Sequence, residues 1–235
     1  MSLDKIVTIP SGTTSGIATT LARADRIDGM KALRMDGFAN VDGGTELGRR
    51  LLRRRERAWI SLWTLERGVC LARGRSYTCP VTALLERCEH WLDSSVADSQ
   101  DGSLVSIAAF RRDLDVLLKN VRLRCDNYRT SDVGSIVAQS IKDTIEDFYQ
   151  AWANTWTPII GEGQQRSLPP YVEVLIVHGQ LSIYASVINH PTAPVEVKRF
   201  FRSAGLSSAL NVMRVAIQGE DKLQSMPNNT AIMVT

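Results

Sequence analysis

Three groups of residues have types and spacings that chemistry could use. Glu86, Cys88 and His90 lie close together, with Glu86 and His90 one helical turn apart. A carboxylate, a thiol and an imidazole so placed are a set that a metal ion accepts. No Cys-x-x-Cys pair accompanies them, and one half-exposed helix face accounts for all three. Asp143, Glu146 and Asp147 share a helix face at spacings that suit acid–base carboxylates. No histidine or basic partner stands near them, so they read as a solvated face. His178 lies in an apolar run and reads as a core histidine with its hydrogen bonds made inside the fold. The other two histidines are His90 and His190. There is no Gly-x-Ser-x-Gly elbow, His-Glu-x-x-His, Walker loop or dinucleotide-binding glycine pattern. The sequence therefore nominates no catalytic, cofactor-binding or metal-binding residue, and the expectation is a protein that is not an enzyme.

The strongest signal is charge. From Thr45 to Arg75 there are nine Arg against three Glu. On a helix Arg50, Arg53, Arg54 and Arg57 fall at i, i+3, i+4 and i+7, one stripe. Leu51, Ala58, Leu62, Leu65 and Val69 form a second stripe, widened by Leu52, Trp59 and Trp63. Two functions suit such a pattern, a phosphate-binding face or a nuclear localisation signal. An amphipathic helix with solvated or paired arginines suits it better. Nucleic-acid grips interleave basic and polar groups on an exposed element, whereas this segment sinks two tryptophans. The expectation is Trp59 and Trp63 in the core, Arg53 and Arg54 in solvent, and no DNA-binding residue.

The elements that must carry these groups are helical nearly throughout. A first helix is expected at 14–27, followed by a glycine-punctuated loop at 36–44. Further helices are expected at 45–73, 80–92 (with Pro80 in its first turn), 104–126, 133–156, 171–188 and 195–218. A surface loop fills 94–103, and the final residues begin another helix. The 171–188 segment has the valine and isoleucine content of a strand, and its length and helical neighbours decide for helix. Glu173, His178, Gly179 and Gln180 interrupt it, which a membrane span tolerates poorly. The fold class expected is all-α, an irregular bundle of about seven helices in one domain over 1–235, with 1–44 its least defined part.

Bulk properties agree with that class. The chain has 235 residues, 44% of them hydrophobic and 23% charged, and a net charge of +3, too balanced to attract polyanions over the whole surface. The N-terminus lacks a basic region followed by a long apolar core, so secretion is not expected. Cys70, Cys79, Cys88 and Cys125 are too few for a disulfide scaffold and read as reduced thiols.

Two blocks carry a family resemblance. "RRRERAWISLWTLERGVCLARGRSYTCP" at 53–80 resembles the signature of the fungal-specific transcription factor domain, the middle regulatory region of binuclear zinc-cluster regulators. The family's arginines correspond to Arg53–Arg55 and its tryptophans to Trp59 and Trp63. Its apolar-Asp-Arg step corresponds to Leu65-Glu66-Arg67, and its Gly-Arg-Pro turn to Gly74-Arg75. Glu66 stands for the usual Asp and Ser76 for the usual Pro. The second block, "SSALNVMRVAIQGEDKLQSMPNNTAIMV" at 207–234, is similar to the family's C-terminal segment and ends inside its next apolar helix, so a fragment is expected. The signature helices then occupy 45–93 and the remaining helices 104–235. The resemblance implies a nuclear, non-catalytic, all-helical domain that regulates transcription through a small-molecule effector or a protein co-regulator. It implies no specific DNA binding by this chain, no membrane partner and no cofactor. Zinc belongs to a separate six-cysteine module that this sequence does not contain. The alternative from another class is a helical scaffold that binds an acidic partner through its Arg-rich helix.

Overall fold

Local signals set most of the boundaries. In the computed structural model, which describes residues 29–129 and 133–221, every regular element is helical. The helices are α1 (Gly29–Met35), α2 (Glu46–Arg73), α3 (Ala83–Glu86), α4 (Asp101–Asp126), α5 (Gly134–Ile160), α6 (Pro170–Ile188) and α7 (Val195–Gln218). A 3₁₀ segment, Cys88–Asp93, follows α3. Thr45 caps α2, its hydroxyl accepting from the Gly48 amide at 3.1 Å. Gly74 ends the same helix in the left-handed conformation, φ 60°, and its amide bonds back to Cys70 and Leu71 carbonyls. Pro170 opens α6 at a position where its missing N–H costs nothing. Glu162 and Ser167 form an isolated bridge in the loop before it.

The all-α expectation holds, and so do the long helices, to within a few residues at most ends. The helix expected at 14–27 and the helix start expected near the C-terminus lie outside the described residues. Two expectations need correction. The 80–92 helix is broken at Arg87, whose φ −126° and ψ 34° are not helical. Thr82, Leu85, Cys88 and Trp91 are the buried residues here, at a spacing of three. That is the 3₁₀ repeat, where i and i+3 eclipse, and not the α repeat. The short α1 was not expected. It persists because Ala32 and Leu33 are buried and Asp36 pairs with Arg55 of α2.

The core is organised on α4, which packs against α2, α5, α6 and the 3₁₀ segment. α6 and α7 form an antiparallel pair, and α5 closes on α7 as well. Trp63, Ile60, Phe110, Leu114, Ile141 and Ile183 meet in one continuous apolar cluster. Phe110 sits against the rings of Phe148, Tyr149 and Trp152, with centroids 5.7, 5.7 and 5.9 Å away. Of the described helices, α6 alone is long and apolar enough by composition to cross a membrane, with mean hydropathy 1.4. In this fold it is an interior helix, with Val172, Ile183 and Val187 fully buried. On α7, Leu206, Leu210, Met213 and Ile217 face outward along one stripe.

Candidate functional site

The arginine helix divides its charges between the interior and solvent. Arg53 is 4% exposed, contrary to the expectation that it lies in solvent. Its Nε and Nη2 donate to Asp101 Oδ2 at 3.3 and 2.9 Å, and its Nη1 donates to the Trp91 carbonyl at 2.6 Å. The guanidinium carbon lies 3.0 Å from the centroid of the Trp91 ring. Arg57 reaches the other oxygen of the same carboxylate at 2.7 Å. Burial pushes the Asp101 carboxyl up, but hydrogen bonds from Arg57, the Asp98 amide and Arg53 outweigh it and leave it below its ordinary value. The result is one buried carboxylate held by two arginines, capped by a tryptophan whose indole N–H donates to Glu56 at 2.7 Å.

A second clasp lies about four turns along the helix from Arg53. Arg67 donates to Asp115 Oδ2 at 2.5 Å and to the Cys79 carbonyl at 3.3 Å. Its guanidinium lies over Tyr77 at 3.9 Å and Trp63 at 4.8 Å. Glu66 accepts from the Thr78 amide at 2.6 Å and the Thr78 hydroxyl at 3.1 Å, fastening the segment after Gly74 back onto the helix. Arg54, by contrast, is exposed as expected, and exposed Arg50 pairs with Glu46 at 2.8 Å. The residues expected to form the apolar stripe, Leu51, Ala58, Leu62, Leu65 and Val69, are half-buried or exposed. The core stripe instead runs through Arg53, Ile60, Trp63 and Arg67, with Trp59 beside it. An acidic partner would thus find much of the arginine charge already engaged inside the fold.

A third centre is more unusual. Arg111, in the middle of α4, is 2% exposed, and none of its three guanidinium nitrogens has a hydrogen-bond partner among the described residues. Burial lowers its pKa to about 10, so it stays charged at neutral pH. His178 of α6 feels that charge. Burial, reinforced by Arg111, lowers the imidazole to about 4, and its Nδ1 has no partner among the described residues. The histidine is therefore half-buried with its Nδ1 unpartnered among the described residues, which corrects the reading of a satisfied core histidine. Tyr149 of α5 and Tyr77 also face the Arg111 charge. Tyr149 donates to the Ile176 carbonyl at a long 3.4 Å, and its phenol is held well above its ordinary pKa by burial.

The residues considered for chemistry do not assemble. Glu86 and His90 are exposed while Cys88 is buried with 0% exposure, so the three point apart. Among the described residues no group of three or more His, Cys, Asp or Glu is placed to hold a metal. Burial raises all four thiols, Cys70 to about 11 and Cys88 to about 12, away from the thiolate form that metals and nucleophilic chemistry need. Asp143, Glu146 and Asp147 are exposed. Contrary to the expectation of no basic partner, Glu146 pairs with Lys142 one turn away at 3.2 Å, and Asp143 accepts from Gln139 at 2.6 Å.

Sequence reasoning missed Asp101, Asp115 and Arg111. Asp101 lies in what reads as a polar surface loop, and a signal for it was present, since an acid just ahead of an apolar periodic run marks a helix start. Arg111 sits inside the apolar periodicity of α4 beside Arg112, which is bound to Glu89 and Asp113. Nothing in the local pattern distinguishes the two arginines. Comparison with family models, curated proteins and solved structures found no match for this chain. What the fold and this site define is a helical bundle with two internal arginine–carboxylate clasps and one uncompensated internal arginine.

Proposed function

We propose that this chain is a non-catalytic regulatory domain of a transcription regulator of the fungal zinc-cluster type, working in the nucleus and leaving DNA recognition to a separate zinc module. The observation that carries the reading is the internal role of the Arg-rich helix. The positions behind the family resemblance hold α2 to the rest of the bundle: Arg53 and Arg67 through carboxylates, Trp59 and Trp63 through burial, Glu66 through a backbone clasp and Gly74 through its left-handed cap. A segment so engaged has a scaffolding task, and a phosphate-gripping face would need the same guanidinium groups in solvent. The regulatory signal in this reading is a small-molecule effector or a protein co-regulator that changes the packing of the bundle. The chain itself needs no cofactor and no membrane.

The test is a reporter assay in a fungal host, with residues 1–235 fused to an unrelated DNA-binding module. The expected result is reporter output that differs, upward or downward, from that of the module alone, and that moves toward the module's level when Trp63→Ala destabilises the bundle. Output equal to the module alone for the folded fusion would refute the reading.

A further inference from the structure

Arg111 differs from the other arginines buried in this molecule. Arg53 has Asp101 and Arg67 has Asp115, yet Arg111 has no acceptor on any nitrogen among the described residues. The polar groups that feel its charge come from three places, Tyr77 after α2, Tyr149 on α5 and His178 on α6. None of them is an anion at neutral pH: burial raises both phenols and lowers the imidazole to about 4. Asp115, one turn further along α4, is held by Arg67. The Phe110 ring, 5.9 Å from the guanidinium, offers only a π face. A guanidinium left without a counter-ion in an apolar interior is strongly disfavoured, and an unpaired buried polar group in a native fold asks for an ion or ligand.

We infer that Arg111 is the anion-recognising residue of an internal ligand site bounded by α4, α5, α6 and the segment after α2, and that the ligand is a small organic monocarboxylate with an apolar body. Three features choose that class. The planar fork of a guanidinium matches a carboxylate through two parallel hydrogen bonds. One cation balances one negative charge, and the neutral His178 supplies no second, so a dianion such as phosphate leaves excess charge buried. The rings of Phe110, Phe148, Tyr149 and Trp152, packed on one another beside Arg111, make its surroundings apolar, which suits an apolar body. His178 Nδ1, also buried without a partner among the described residues, is a second hydrogen-bonding atom that feels the same charge. The inference names the chemistry of the effector. It rests on the regulatory reading for what binding achieves, and on Arg111 alone for binding itself.

The test uses the purified 235-residue chain and four probes, sodium acetate, propionate, benzoate and phosphate, against sodium chloride at equal ionic strength. At least one carboxylate should raise the melting temperature above the chloride control, by about 3–5 °C for each tenfold of ligand beyond its dissociation constant. Arg111→Met should lose that response. It should still fold, because replacing an uncompensated buried charge by an apolar chain of similar length is tolerated. Should it not fold, calorimetric titration of the same carboxylate into Arg111→Lys decides the matter, with affinity at least tenfold below that of the unaltered chain. Three outcomes overturn the inference: no carboxylate exceeding chloride, equal responses with and without Arg111, or phosphate exceeding all three carboxylates. A reporter that fails while the carboxylate response survives removes the regulatory reading and leaves the site. A reporter that responds while no carboxylate binds removes the site and leaves the reading.

Discussion

Trp63 has no exposed surface, and its replacement by alanine should cost about 3–5 kcal/mol, the range for emptying a large aromatic site. Arg54→Ala, on the exposed side of the same helix, should stay within about 0.5 kcal/mol. Arg53→Ala belongs with the tryptophan: it leaves Asp101 buried with one cation, and about 3 kcal/mol is expected, the low end for a broken internal pair because Arg57 remains. Urea melts of the three variants rank them. Two titrations follow from the same interior. The Asp101 carboxyl is lowered on folding, so its stabilisation is complete above the unfolded value near 4 and is lost as pH falls through the folded one. Asp101→Asn should therefore lag the unaltered chain at pH 7 and converge with it in acid. His178 is lowered from 6.5 to about 4, so the unfolded chain takes up a proton that the fold refuses across that window. Stability should drop as pH falls from 6.5 to about 4, and His178→Asn should flatten that slope in melts at pH 4.5, 5.5 and 7. The sequence shows the arginines as a stripe but not which of them are buried. That depends on carboxylates such as Asp101 and Asp115, both 48 residues from their partners, and local periodicity does not see that far.

Helices fared better than their charges. α2, α4, α5, α6 and α7 are legible because each carries several turns of apolar residues at helical spacing, which tertiary packing then uses. The elements that were misread are the short ones, α1 and the α3–3₁₀ pair, where tertiary contacts outweigh propensity. One inter-helix contact sets a sharp test. Gly179 of α6 lies against α4 so closely that a Cβ there would stand 2.6 Å from Phe110 Cε1. That ring has no exposed surface and is boxed in by Phe148, Tyr149 and Trp152, so it has little room to yield. Glycine is a poor helix former in general, worth about 0.5–1 kcal/mol less than alanine. Here the order should invert, with Gly179→Ala destabilising by about 1–3 kcal/mol through overpacking. Thermal melts of this single variant measure it, and a stabilised protein would show that α4 and α6 are less tightly apposed.

For the molecule as a whole, the net charge of +3 hides an uneven distribution. The positive excess of α2 is divided between internal clasps and a few exposed groups, Arg49, Arg50 and Arg54 among them. DNA binding should then be weak and indifferent to sequence, with a dissociation constant of about 10⁻⁴ to 10⁻⁶ M at physiological salt and a steep loss as salt rises. Fluorescence anisotropy with two unrelated duplexes checks it. Nanomolar, sequence-selective binding near physiological salt would place the DNA-reading function in this chain after all. The candidate site was the least legible part of the sequence, because its defining property is a missing partner. A missing partner becomes visible only when every neighbour is known.

The valine- and isoleucine-laden α6 has a consequence for synthesis of the chain. Its sequence would suit a β-strand or a lipid interior, and only the closure of α4 on one side and α7 on the other keeps it a hidden helix. During translation α4 is already made when α6 emerges, but α7 is not. At about 5–20 residues per second, the α7 segment takes a few seconds to follow. For that interval the nascent polypeptide displays a sticky apolar strip, a target for chaperones and for self-association. A chain stopped after Asn189 should accordingly accumulate as insoluble aggregate, while one carried through Asp221 stays dispersed.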